Sequence, residues 1–303
     1  MGLNMPWYTR RGNTAERAGW VWLQRWRQSF DATGVAQGFV AALVDPIRKM
    51  AATTIDEGAI LGGIFLPGSI SNHIVEKYAK VLLGTKTLQD LPASPRFVIN
   101  ATNVQSGVLM RFSKPYLRDY RVGQVEDPKL PLANAVAASS ALPPVLSPCE
   151  INVEDFGLKF EPPGPGEDLN KPPYTTRLVL SDGGVYDNLG LETAWKRYDT
   201  VLVSDAGGHL EGERDPHSDR ARHSYRVLNL IDSQVRALRT RQIIALFNAK
   251  QRKGSYWSIR QQYPAGGTLP CPAARTAERT PHRCTFLLLF NAAAVLCLCY
   301  GAP

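Results

Sequence analysis

Two runs of this sequence constrain its fold more than any others: Leu178-Val179-Leu180-Ser181-Asp182-Gly183-Gly184 and Val201-Leu202-Val203-Ser204-Asp205-Ala206-Gly207-Gly208. Each opens with a short, Leu/Val-rich apolar stretch bounded by turn residues, the pattern of a buried strand. Between them, Asn188 to Trp195 reads as helix. Strand, helix and strand at this spacing predict a right-handed βαβ unit in a parallel sheet, and therefore an α/β fold.

Asp182 closes the first run, and two glycines follow it. Glycine has no Cβ, so the backbone at Gly183 and Gly184 is free to turn sharply and to approach another group closely. Asp-Gly and Gly-Gly are also common turn formers. Taken alone, Asp182 holds a turn together; a chemical role needs support from elsewhere in the chain.

That support comes from upstream. Phe97-Val98-Ile99 reads as a strand, with Val108 to Phe112 as its hairpin partner across an Asn/Gln/Ser/Gly turn. Residues 72–83 read as a helix. From Leu132 an alanine-rich helix runs until Pro143-Pro144 stops it, and its small residues, Ala133 to Ala141, suit close packing on a sheet. After Asp205 a long helix carries Leu228, Ile231, Val235 and Leu238 on one face, with Arg236, Arg239 and Arg241 off it.

The stretches "FVINATNVQSG" (97–107), "ANAVAASSALPPVLSP" (133–148) and "LVLSDGGVYDNLGLE" (178–192) together resemble the patatin-like phospholipase family, in that family's order. The resemblance covers residues 31 to 250. It implies a three-layer α/β/α sheet with mostly parallel strands and a serine acyl hydrolase working through a Ser–Asp dyad. By that resemblance Asp182 is the general base, and Gly183 and Gly184 let it approach the serine. Asp205, in the similar second run, is its rival. A carboxylate within hydrogen-bond reach can take a serine proton, so the dyad needs no histidine. The five histidines lie far from the motifs or in polar, charged segments.

One family feature is missing. No Gly-x-Ser-x-Gly, the nucleophile elbow, occurs in the 303 residues, and neither does the Gly-rich loop that would supply the oxyanion donors. Ser69 and Ser71 in "PGSISN" and Ser106 in "VQSGV" lack the paired glycines, so no nucleophile is identified. We therefore expect a patatin-like domain incomplete at its N-terminal side over residues 31–250. It is preceded by a Trp/Arg-rich segment, 1–30, and followed by a basic Pro-rich linker with an apolar tail, 251–303. Both ends are expected to be unrelated to the domain, as in a truncated or frameshifted reading frame. Without the elbow, no turnover is expected. Two alternatives are a non-catalytic membrane-surface module of the same fold and a fragment that does not fold.

Charge bears on partners. The formal net charge is +8, and it is concentrated at the ends. Residues 1–30 hold Arg10, Arg11, Arg17, Arg25 and Arg27 against Glu16, with four of the six tryptophans; Ser233 to Arg283 holds ten basic residues and one acid, Glu278. Such ends suit an anionic membrane surface, while no nucleic-acid-binding motif is present. The implied substrate is a phospholipid or other acyl-ester lipid, with no cofactor. Five cysteines, odd in number and without a CxxC pair, argue against a disulfide framework or a zinc site. With no signal peptide evident, an intracellular protein, peripheral to membranes, is expected.

Overall fold

A computed structural model describes residues 69–93, 96–143, 146–205, 210–216 and 218–258, with short strand segments at 29–30, 36–37, 285–291 and 295–301. The Trp/Arg-rich segment and the Pro-rich linker lie largely outside the described residues. The chain divides into two units, Met1–Tyr186 and Asp187–Pro303.

In the first unit, two-residue strands β1 (Ser29–Phe30) and β2 (Ala36–Gln37) pair with each other. The main strands are β3 (Arg96–Asn103), β4 (Val108–Ser113), β5 (Tyr116–Asp119), β6 (Gly123–Glu126), β7 (Cys149–Asn152) and β8 (Arg177–Asp182). They pair in the order β7-β8-β3-β4-β5-β6, every pair antiparallel. The β3–β4 hairpin is the one its turn chemistry predicts, with Gly107 at φ +73° in the loop. β3 is buried along nearly its whole length, and Phe97, Val98, Ile99, Met110, Phe112, Leu117, Leu178 and Leu180 build the core around it.

Helix α1 (Ser69–Tyr78) continues as a π-helical turn, Ala79–Leu83, where the sequence predicts a helix. Helix α2 (Leu132–Ser139) packs on β3, β7, β8 and α1. Ala133, Ala135, Ala137, Ala138 and Ala141 are all buried there, so the helix lies close because its side chains are methyl groups. Tyr78 Oη donates to Ser140 Oγ at 3.2 Å, joining the ends of α1 and α2.

The second unit contains β9 (Thr200–Asp205), β10 (Lys253–Ser258), β11 (Thr285–Asn291) and β12 (Val295–Gly301). β9 pairs in parallel with β10 and antiparallel with β12, which pairs antiparallel with β11. The apolar tail thus contributes two strands. Gly254 shows why β10 needs a glycine: at φ +153°, a Cβ there would fall 1.8 Å from the Val201 carbonyl oxygen.

The molecule is mixed α/β, but its main sheet is antiparallel, which corrects the expectation of a mostly parallel one. β8 and β9 do not form the anticipated βαβ pair. β8 is flanked on both sides, by β7 and by β3, and both ladders run antiparallel to it. An apolar run reveals that a strand is buried but not which neighbour it takes or in which direction.

Ala135 is fully buried against the sheet. Ala135→Leu is expected to overpack this contact and destabilise the protein by about 1–3 kcal/mol. The check is the denaturant midpoint, which should fall without a change in slope.

Candidate active site

Asp182 is the last residue of β8, 3% exposed, and opposes Ala101 of β3. Its backbone is held at both ends: its N–H donates to the Ala141 carbonyl at 2.9 Å, and its carbonyl accepts from Thr102 Oγ1 at 2.7 Å. Its carboxylate Oδ1 accepts from the Gly184 N–H at 2.6 Å. Helix α3 (Gly183–Asp187) starts at the next residue, so Asp182 is its N-terminal cap. Gly183 and Gly184 are the first two helical residues, where the chain turns from strand to helix, and the positive-φ glycine of this stretch is Gly190, at +63°. Helix also begins earlier than at Asn188 and breaks before a short helix α4 (Glu192–Trp195).

Ser69 opens α1, and Ser71 is buried in that helix, where it hydrogen-bonds the Cys149 thiol. Burial pushes that thiol up to about 12, so Cys149 is no nucleophile either. Ser106 lies beyond the far end of β3. Val104 N already bonds to Val179 O, three residues back along β8 from Asp182, which puts Ser106 at least about 10 Å away.

Ser106 has its own aspartate. Its hydroxyl donates to Asp119 Oδ2, which also accepts from Asn103 Nδ2 at 2.9 Å. Asp119 Oδ1 accepts from the N–H groups of Arg121, at 2.8 Å, and Val122, at 3.2 Å. With four donors and no exposed surface, this carboxylate is a structural knot, not a base. Arg121 extends the knot by bonding the Ser106 carbonyl with Nη1 and both Asp168 oxygens with Nε and Nη2. The cluster escapes sequence reading because its members belong to separate turns.

In the second unit, Asp205 is committed to an ion pair. Arg236 Nη1 donates to Asp205 Oδ1 at 2.7 Å, and Tyr256 Oη donates to Asp205 Oδ2 at 2.7 Å. Arg236 comes from helix α5 (Arg220–Asn248) and also holds Asp232 at 3.0 Å. Burial opposes the Arg236 charge, but Asp232 and Asp205 outweigh it and raise its pKa. The Val-Tyr-Asp-Asn run serves the same helix. Asn188 Nδ2 donates to the Asp232 carbonyl and carboxylate, both at 3.1 Å, and Asp187 Oδ1 meets Arg239 at 3.2 Å. Asp187 Oδ2 accepts from the Glu192 N–H at 2.6 Å. His73 and His223 are exposed and take no part.

The family model for patatin-like phospholipase matches residues 13–195, more than half of the chain. The chain belongs to the patatin-like phospholipase family. No curated protein matches it. Within this patatin-like chain the matched span contains Asp182 and excludes Asp205. No helix among the described residues is long and apolar enough to cross a membrane.

Removing one partner of the Arg236–Asp205 pair leaves a buried, uncompensated charge. Arg236→Met alone is expected to cost about 3–5 kcal/mol, and Arg236→Met with Asp205→Leu much less. A double-mutant cycle by denaturant unfolding measures this.

Asp187 predicts a pH effect. Burial raises its pKa above 3.8 against the pull of Arg239 and the Glu192 N–H. A raised carboxyl pKa means that the folded state binds the proton more tightly than the unfolded state does. Its contribution is therefore complete below pH 3.8 and is lost as pH rises through the folded-state value. Relative to Asp187→Asn, the native protein should lose stability over that rise, as read from midpoints at a series of pH values.

Proposed function

We propose that this chain is the base-bearing part of a patatin-type lipid acyl hydrolase, with Asp182 as the proton acceptor. The observation that carries this reading is the fixing of Asp182 at the carboxyl end of β8 by Thr102, Ala141 and its own cap to Gly184. A family whose members act on acyl-ester lipids agrees with it. In the reaction, the carboxylate takes the proton of a serine hydroxyl as its oxygen attacks the acyl carbon. The alcohol departs with a proton, and water then releases the acyl group. The substrate is a phospholipid or other acyl-ester lipid. Asp205 is the poorer candidate because it lies outside the span that the family model matches.

The sequence spells no Gly-x-Ser-x-Gly, so the chain by itself is not expected to turn over. A fluorophosphonate probe should leave it unlabelled; labelling of Ser71 or Ser106 would overturn the reading. In a fusion that supplies the strand–elbow–helix ahead of the chain, ester hydrolysis should appear. There Asp182→Asn should lower kcat by about 10²- to 10⁴-fold. An unchanged kcat in a folded Asp182→Asn fusion would reject Asp182 as the base.

A further inference from the structure

β9 and β10 run parallel side by side, and α5 is the crossover between them, so β9-α5-β10 is a βαβ unit. The carboxyl ends of such strands are where open α/β sheets hold their ligands. Here both strands end on polar residues in register, Asp205 opposite Ser258. A cleft of about 520 Å³ opens at that end, lined by Asp205, Tyr256 and one flank of α5. Its size falls within the roughly 300–1,000 Å³ of small-molecule sites. At 3.6 residues per turn, Ser233, Ala237, Thr240 and Arg241 recur along that flank, with Gln234 at its edge.

The lining decides what fits. Its one aliphatic side chain is Ala237, so neither an acyl chain nor the faces of a flat heteroaromatic ring would find an apolar slot. Charge on the floor is already matched, because Arg236 holds Asp205 at 2.7 Å and Asp232 at 3.0 Å. An anion reaching the floor would meet the buried Asp205 carboxylate, and an ammonium would meet Arg236. The remaining charge, Arg241, is exposed at the rim. What the cleft offers instead is the hydroxyls of Ser233, Thr240 and Tyr256 and the amide of Gln234. Tyr256 Oη donates to Asp205 and meets the Thr240 and Ser258 hydroxyls. Burial, and then the Asp205 bond, raise its pKa, so it stays protonated at neutral pH. Groups that both donate and accept, a helical turn apart, suit a ligand with several hydroxyls of its own.

We propose that this cleft binds a small uncharged polyol or sugar, whose hydroxyls pair with Ser233, Gln234, Thr240 and the Asp205–Arg236 floor. This does not depend on Asp182 being the base, and a binding assay reads it without any hydrolysis.

The test is saturation-transfer NMR on the full chain, with glycerol, myo-inositol and methyl glucoside as neutral probes. Glycerol phosphate, adenine and octyl glucoside below its micelle-forming concentration are the comparisons. At least one neutral probe should receive saturation from the protein. Ala237→Trp, which fills the cleft from an exposed position, should abolish that signal. Ser233→Ala/Gln234→Ala should weaken binding about tenfold, what two neutral hydrogen bonds carry, and Arg241→Gln should leave it unchanged. These substitutions spare the Arg236–Asp205 pair, and an unchanged melting curve shows that the variants fold. Methyl and octyl glucoside should bind alike if the hydroxyls are what is recognised, whether the sugar is free or borne by a lipid. Binding of octyl glucoside or adenine alone would overturn the proposal. So would a preference for glycerol phosphate that Arg241→Gln removes, undiminished binding by folded Ala237→Trp, or no contact with any neutral probe.

Discussion

Thr102 Oγ1 joins the two halves of the aspartate loop: it donates to the Asp182 carbonyl at 2.7 Å and accepts from the Tyr186 N–H at 3.1 Å. One hydroxyl thereby ties the end of β8 to the body of α3, from the next-to-last residue of the most buried strand in the first unit. Each such bond contributes a net ~0.5–1.5 kcal/mol, but their shared consequence is geometric. With the Asp182 N–H held by Ala141 and its Oδ1 by Gly184, the backbone around the carboxylate has little freedom left.

The two aspartate runs, so alike in sequence, serve different ends. Asp182 caps a helix and stands at a strand terminus within the span that the family shares. Asp205 is buried under Arg236 and Tyr256, and its work is to hold α5 against its strands. Asp232 and Arg239 of α5 extend that attachment through their bonds with Arg236 and Asp187.

The sequence announces some of this and conceals the rest. Residues 97–112 spell a hairpin because Asn, Ser and Gly sit between two apolar runs, and the alanines of 133–141 spell a closely packed helix. Turn and packing chemistry of that kind is local. The partners of β8 are not local: nothing in Leu178-Val179-Leu180 says that antiparallel neighbours will flank it. Gly183-Gly184 is ambiguous for a related reason, since glycines after an aspartate suit a turn and the first helical turn equally well. The four donors gathered on Asp119 come from residues 103, 106, 121 and 122, and only the folded sheet brings them together.

Under the proposed function, the chain carries the base of a hydrolase site on a pre-set piece of backbone, and its sequence does not spell the serine elbow that would use it. Amide hydrogen exchange of Thr102→Val tests that pre-setting directly, because valine keeps the shape and removes the hydroxyl. The account predicts that the amides of Gly184 to Tyr186 lose protection while those of the β3–β4 ladder keep theirs. Unchanged protection at Gly184 to Tyr186 in the valine variant would contradict it.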